Sequence, residues 1–202
     1  MKPTLNNVPH HIGIILDGNR RFAKRLMIKP WKGHDWGAKK LEHVFEWCRE
    51  YNVKELTLYA FSYENFNRSK EEFNYLMDLF GKEFDRVIED PQLIEKSIRF
   101  TFIGRIWMFP KNIQEKMHKI MSLTKDNTGY LVNFAMAYGG RAEVIDATKK
   151  IAEQVKKNKL KIKDINEEIF SEHLYMKDEP DLIIRTSESR LSGFLPWQST
   201  YS

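Results

Sequence analysis

Asp17 stands directly before Gly18, Asn19, Arg20 and Arg21, and a second cationic group, Arg185 with Arg190 and Ser192 close behind, lies far along the chain. A carboxylate among guanidiniums can hold Mg²⁺ and a polyanion together. This hard cation binds through one or two carboxylates plus substrate phosphates, and arginine forks make charge-assisted, bidentate bonds to phosphate oxygens. Gly18 lets backbone come close to a ligand, and the free N–H groups of a following helix favour an anion. Asp17 alone would repel phosphate; a bridging Mg²⁺ resolves that conflict. The structural alternative is a helix cap or an Asp-Gly turn.

A third group, Ser62, Tyr63, Glu64, Asn65, Phe66, Asn67 and Arg68, is a loop of hydrogen-bonding side chains with one aromatic ring in its middle. An Asx-turn accounts for Asn65 or Asn67 singly but not for the whole cluster. Tyr138-Gly139-Gly140-Arg141 reads as a tight, closely packed strand-to-helix turn, with a phosphate contact from Arg141 the less favoured role. Arg185 has Asp181 or Glu188 as alternative partners, and His34, after Gly33, could simply cap a helix. His10 and His11 lack metal-site spacing. No P-loop, dinucleotide-binding GxGxxG turn, GxSxG nucleophile elbow or DDxxD metal motif is present.

What must position these residues is an alternation of short and long elements. Apolar, β-rich runs at His11–Leu16, Glu55–Phe61, Ile98–Gly104, Tyr130–Ala137 and Asp181–Thr186 are continuous rather than alternating, as in strands covered on both faces. Helical stripes lie between them: Leu41, Val44, Phe45 and Cys48; then Phe73, Leu76, Met77, Phe80, Phe84, Val87 and Ile88; then Ile145, Thr148, Ile151, Ala152 and Val155. Ser69 to Glu72 reads as a capping box, Pro110 suits a first helical turn, and Asn127-Thr128-Gly129 suits a stop. The pattern predicts a single doubly wound α/β domain with a mostly parallel central sheet. Ligands in such sheets bind beyond the carboxyl ends of the strands. All the polar and cationic clusters fall at those ends.

Bulk properties narrow the field. The 202 residues are 42% hydrophobic and 30% charged, with net charge +5, and the pI is near 9.1. That excess suits a nucleic acid, a membrane surface or a polyanionic small molecule. The lone Cys48 excludes an intrachain disulfide and points to a reducing, cytoplasmic setting. Met1 to Asn7 lacks the apolar core of a leader, and no run reaches transmembrane length. The Lys-rich stretch from Lys156 to Lys163 reads as a solvated helix end; without interleaved aromatics it does not suggest nucleic acid.

Taken in order, His11-Ile12-Gly13-Ile14-Ile15-Leu16-Asp17-Gly18-Asn19-Arg20-Arg21-Phe22-Ala23, Gly33-His34, Leu56 through Arg68, Asn127-Thr128-Gly129, Tyr138 through Arg141 and Asp181 through Thr186 to Trp197-Gln198 resemble the cis-prenyltransferases, or undecaprenyl diphosphate synthases. The Asp-Gly-Asn-Arg-Arg segment resembles archaeal and eukaryotic members more than bacterial ones. The resemblance implies condensation of isopentenyl diphosphate in cis onto an allylic prenyl diphosphate to make a long-chain polyprenyl diphosphate. It implies that Asp17 holds Mg²⁺ and is the central catalytic carboxylate. By the same analogy Gly18, Asn19, Arg20, Arg21 and His34 surround the allylic diphosphate, while Arg185, Arg190 and Ser192 hold that of isopentenyl diphosphate. Ser62, Glu64, Asn65, Phe66 and Arg68 line the gap, with Asn65 as proton acceptor, and Phe22, Tyr63 and Leu191 complete the substrate-contacting set. A homodimer follows from the resemblance alone, as does a long apolar tunnel for the product, for which the stripe from Phe73 to Phe84 offers walls or plain core.

Departures from the family pattern are specific. Pro30 stands where an arginine usually precedes the Gly-His pair, with Lys29 and Lys32 nearby. Beyond Ser202 the family continues with a metal-binding glutamate, a final strand and a C-terminal segment, so the chain is expected to be C-terminally truncated and its Asp17 to hold Mg²⁺ weakly. Two other functions compete with catalysis: a non-catalytic subunit of the same family that binds lipid or a partner chain, and a basic nucleic-acid binder, which ranks far lower. Peripheral membrane contact is suggested by the greasy product, with no amphipathic anchor evident.

Overall fold

The apolar runs become strands close to their expected bounds, because each is short, rich in β-branched and aromatic residues, and closed by polar turns. In the computed structural model, which describes residues 8–90 and 97–202, they are β1 (His11–Ile15), β2 (Glu55–Ser62), β3 (Ile98–Ile103), β4 (Tyr130–Tyr138) and β5 (Leu182–Arg185). They form one sheet of order β3-β4-β2-β1-β5 with every pairing parallel. Parallel neighbours need crossovers, supplied by α1 (Asn19–Arg25), α2 (Gly33–Glu50), α3 (Lys70–Glu89), α4 (Lys111–Thr124), α5 (Gly140–Lys156) and α6 (Glu167–His173). The residues before Val8, read as carrying no apolar leader core, lie outside the described residues.

Two cores form, one on each face of the sheet. Leu56, Leu58, Phe61, Phe100 and Met136 pack with Leu76 and Met77 of α3 and Ile113, Met117 and Ile120 of α4, with the half-buried stripe of α2 at the border. On the other face Ile15, Tyr59, Ala135 and Tyr138 pack with Met176, Phe194 and Leu195. Helix ends follow local chemistry. The Ser69 hydroxyl accepts from the Glu72 N–H at 3.2 Å, but only this half of the expected capping box forms, since the Glu72 carboxylate turns to Arg68 at 2.6 Å instead. Pro110 sits at the N-cap of α4, which ends at Thr124, shortly before Asn127-Thr128-Gly129.

Two expectations are corrected. β5 is an edge strand whose Leu182 and Ile184 are exposed, not covered on both faces. On α5 the buried positions are Gly140, Glu143, Ala147 and Ile151, whereas Ile145, Thr148 and Ala152 face outward. Hydrophobic periodicity misses this face because its anchor is a carboxylate. Glu143 is fully buried, and its oxygens accept from the Tyr138 hydroxyl, the Tyr175 N–H at 2.9 Å and the Gln198 amide at 3.2 Å.

A separate polar cluster occupies the amino-end half of the sheet. The Asn133 amide donates to Glu55 at 2.7 Å and to Thr57 at 3.0 Å, and His11 Nε2 meets the Thr57 hydroxyl at 2.7 Å. Burial, then the nearby charge of Asp178, pushes the Glu55 carboxyl up to about 7. A carboxyl raised in the fold holds more protons folded than unfolded, so stability declines as pH rises from its ordinary value of 4.5 toward about 7. Glu55→Gln keeps the acceptor and removes this penalty. Urea denaturation is expected to show the variant on the order of 1–3 kcal/mol more stable near pH 8 and little changed near pH 5.

Candidate active site

The sheet register brings the first and last clusters together. β5 lies beside β1 with Ile15 opposite Arg185, so the residues that follow β1 emerge against that guanidinium. Arg185 Nη2 and Nε donate to Asp17 Oδ2 at 2.6 and 3.1 Å, while Nη1 reaches the Ser192 hydroxyl at 2.8 Å and the Arg190 carbonyl. Asp17 Oδ1 accepts from the Gly18 N–H at 2.6 Å. Burial alone would push the Asp17 carboxyl up; the bonds from Arg185 and Gly18, with the charges of Arg185 and Arg21, outweigh it and hold the group below its usual range. Asp17 is no helix cap: Gly18 holds that position, without a side-chain bond. The glycine is required by a φ of +92°; a Cβ would also crowd the Ser187 hydroxyl at 2.5 Å, a contact that side chain can relieve by turning.

Charge at this edge is out of balance. Glu188 accepts from Arg190 at 2.6 Å and Arg185 at 3.3 Å and lies 3.5 Å from Arg21, which also bonds Asp17 at 3.2 Å. Two carboxylates thus share three guanidiniums, leaving positive charge for a further anion. Asp181, considered as a partner for Arg185, instead accepts from the His10 and His11 N–H groups at 2.7 and 2.9 Å. Arg190 points to Glu188 and is 73% exposed, so it contributes its carbonyl and charge to the edge but does not touch Asp17. Leu191 and Ser192 are exposed beside it.

Gly33 and Gly37 form a notch in the first turns of α2 that seats Asn19. A Cβ on Gly33 would fall 2.0 Å from the Asn19 carbonyl oxygen, and one on Gly37 2.8 Å from its amide oxygen. The next residue, His34, lines the interior rather than capping α2, and Nε2 lies 3.3 Å from Arg68 Nη1. Burial, then the Arg68 charge, pushes its imidazole down to about 4, so it is neutral at ordinary pH. Arg68 is itself held by the buried Glu72, with Arg20 on the same carboxylate at 3.8 Å. Phe22 projects from α1 with its edge toward Trp36.

The loop after β2 begins where the β2–β4 register shifts around Phe61 and Ser62, an irregularity that re-aims side chains. Ser62 caps a 3-10 turn, and Asn65 Oδ1 accepts from the Ser62 N–H at 3.1 Å in a reciprocal capping box. The bond is a capping-box contact rather than the Asx-turn considered for Asn65, and it gives one lone pair of that amide a structural use. Phe66 packs on Phe61, Phe73 and Phe109, Tyr63 lies under the Arg105 guanidinium, and Glu64 is exposed at the rim. Gly139 and Gly140 make the expected close-packed turn, since a Cβ on Gly140 would strike Pro196 at 2.4 Å; Arg141 points to solvent.

Behind these groups opens a cavity of about 1010 Å³ reached by Asp17, His34, Ser62, Asn65, Arg68, Arg185 and Ser192. Its walls are Leu41 and Phe45 of α2, Leu76, Phe80, Phe84 and Val87 of α3, and Phe100, Phe102 and Met136 of the sheet. It extends to Arg49, Glu89 and Ile98 at the amino edge, about 18 Å along α2 from Gly37 at the helical rise of 1.5 Å per residue. Midway along α2, Glu42 pairs with Arg86 of α3 at 2.8 Å, and Arg86 also meets Glu83 at 2.9 Å, on the surface.

The donor set fits a hard cation in one way only. Asp17 offers a single carboxylate, and among the described residues no group of three His, Cys, Asp or Glu side chains gathers to cage a metal. A cation here would be carried on phosphate oxygens, with Asp17 as its protein ligand. Ser187 and the Gly33–Gly37 notch escaped the sequence reading, which had Glu188 only as an alternative partner for Arg185 and Glu72 only as a capping residue. The notch had a legible signal, two glycines four apart on one helix face; the partners of buried cations had none.

Known proteins resemble this chain over most of its length. The family model described as "Putative undecaprenyl diphosphate synthase" matches residues 15–202. Tritrans,polycis-undecaprenyl-diphosphate synthase (geranylgeranyl-diphosphate specific) of Pyrococcus furiosus is 46% identical over 96% of this chain and 75% of its own length. The protein of the same name from Methanocaldococcus jannaschii is 46% identical over 98% of this chain and 72% of its own, and an isoprenyl transferase of Thermus thermophilus is 43% identical over 96% and 77%. Among solved structures, lavandulyl diphosphate synthase from Lavandula x intermedia in complex with dimethylallyl diphosphate superimposes with a TM-score of 0.86 at 34% identity, over 94% of this chain and 83% of that one.

Inorganic pyrophosphate is expected to bind at the Asp17–Arg185 edge, more weakly as salt rises. Arg185→Lys, which keeps the charge but loses the planar fork, is expected to cut its affinity by about tenfold or more, the scale of a charge-assisted hydrogen bond. Calorimetric titration reads the difference; equal affinity in both proteins removes Arg185 from the site.

Proposed function

The chain belongs to the undecaprenyl diphosphate synthase family of prenyltransferases, and from that membership we propose that it condenses isopentenyl diphosphate in cis onto an allylic prenyl diphosphate, building a long-chain polyprenyl diphosphate. The observation that carries the reading to these residues is the Asp17–Arg185 contact at the mouth of an apolar cavity. One wall offers anion-binding forks and the other hydrocarbon, the two chemistries of an amphipathic lipid diphosphate.

The roles are those the family resemblance implies, and the positions of the residues support them. Arg20, Arg21 and the backbone beside Gly18 and Asn19 receive the allylic diphosphate, with neutral His34 as a hydrogen-bonding partner. Arg185, Ser192 and the charge of Arg190 receive isopentenyl diphosphate. Fixed donors aimed at a departing pyrophosphate stabilise the charge it gains as the allylic C–O bond breaks. The double bond of isopentenyl diphosphate, held in orientation by Arg185 and the turn from Ser62 to Arg68, attacks the allylic carbon; a new C–C bond forms as the allylic C–O bond breaks, and the proton lost from the adjacent carbon passes to the released pyrophosphate. Asn65 shapes that turn through the Ser62 N–H, so its larger effect is on position. A divalent cation, Mg²⁺ by its preference for carboxylate and phosphate oxygen, would be held by Asp17 and would neutralise developing negative charge on the pyrophosphate. The growing tail occupies the cavity between α2, α3 and the sheet. Retention of Asp17 beside Arg185 favours catalysis over a non-catalytic lipid-binding subunit. A homodimer acting in the cytoplasm at a membrane surface completes the proposal.

With the full chain, Mg²⁺, geranylgeranyl diphosphate and labelled isopentenyl diphosphate, polyprenyl diphosphates are expected, and chelation should abolish them. Asp17→Ala is expected to lower kcat by about 10²–10³-fold while circular dichroism stays unchanged. Unaltered turnover in a folded Asp17→Ala protein would falsify the role given to Asp17.

A further inference from the structure

The segment from Arg20 to Lys32 contains six cations and neither Asp nor Glu. At its tip, past the end of α1, stand three consecutive apolar residues, Leu26, Met27 and Ile28, which are 45%, 95% and 39% exposed. Met27 also takes a left-handed backbone, φ 54°, a conformation that costs a residue bearing a Cβ. An apolar side chain both strained and fully exposed gains nothing from the fold. Phe22 and Trp36, 41% and 51% exposed, extend the apolar surface from the tip toward α2. Lys24 and Arg25, on the last turn of α1, make no ion pair among the described residues.

We propose that this tip is a membrane-docking wedge, in which Leu26, Met27 and Ile28 enter an anionic lipid bilayer while Lys24 and Arg25 lie on its headgroups; Lys29 is held by Glu71 at 2.9 Å and takes no part. Charge complementarity selects this occupant. A bilayer with acidic headgroups offers hydrocarbon to a small apolar tip and negative charge to its basic collar at once. A protein partner would need a broader face than three residues provide, about 800 Å² per side for a stable complex. Insofar as the docked surface receives a lipid product, the inference rests on the synthase reading: the tip continues from Arg20, Arg21 and Phe22, so docking sets the cavity mouth against the membrane.

The test is flotation of the full chain, without substrates, on vesicles of phosphatidylcholine with and without phosphatidylglycerol. Partitioning is expected to rise with the anionic fraction and fall with salt. Met27→Asp, and separately the pair Lys24→Glu with Arg25→Glu, should each reduce it by about tenfold. Asp tolerates left-handed backbone, so Met27→Asp retains the fold, and both variants should keep wild-type turnover on detergent-dispersed substrates. Equal flotation on neutral vesicles, or no loss in either variant, overturns the proposal. Concentration-dependent self-association that vanishes in Met27→Asp assigns the tip to a second copy and overturns it as well. Turnover without vesicle binding sinks this inference alone; vesicle binding without turnover sinks the synthase reading alone.

Discussion

The architecture turns on one ionic contact, between Asp17 after β1 and Arg185 at the end of β5. These groups are 168 residues apart in sequence, and nothing local holds them together. Their meeting requires β5 to add beside β1 in the register that sets Ile15 opposite Arg185. A slip of one residue would turn the guanidinium to the opposite face. The register is secured from the other end as well, where Asp181 clamps the His10 and His11 N–H groups. Precision at the carboxyl edge is thus maintained by a carboxylate at the amino edge. The pair is partly wet, 11% and 24% exposed, which lets a polyanion compete for the same forks without prying open a buried ion pair.

Much of this was legible in the residues. Strand bounds fell within a residue or two because continuous apolar runs closed by polar turns have few other folds. The placement of Asp17, Ser62 and Arg185 on one edge followed from the rule for open parallel sheets. The reading failed where polar groups do the work of apolar ones. Glu143 anchors α5 from inside the core, so a hydrophobic stripe pointed to Ile145 instead. Glu72 seemed a capping residue and proved to be a counter-ion for Arg68. Glu188 was one of two candidate partners for Arg185, and only coordinates show it drawing in three guanidiniums. Pairing between charged groups depends on approach in space, and spacing along the chain carries no record of that.

The two ends of the sheet carry opposite electrostatics. At the carboxyl edge, cations exceed carboxylates and exposure is partial. In the amino-end half, Glu55, His11, Thr57 and Asn133 form a closed network in which burial favours neutral forms of both the acid and the imidazole. Charge is concentrated where a ligand can reach it and suppressed where none can. The apolar cavity lies on the opposite face of the sheet from that network, with Asp17 and Arg185 at its mouth and Phe80, Phe84 and Phe102 in its walls, so a molecule with an anionic head and a hydrocarbon tail has one favourable orientation within it.

The tie between Arg86 and Glu42 gives that cavity a mechanical property. At its inner end α2 is fastened firmly, by glycines locked against Asn19. Midway along its length, at Glu42, it meets α3 through a solvent-exposed ion pair, a fastening of about 0–1 kcal/mol. Burying a single methylene is worth about 0.8 kcal/mol, as much as that latch. The wall between α2 and α3 is therefore latched more weakly along its length than α2 is seated at the throat.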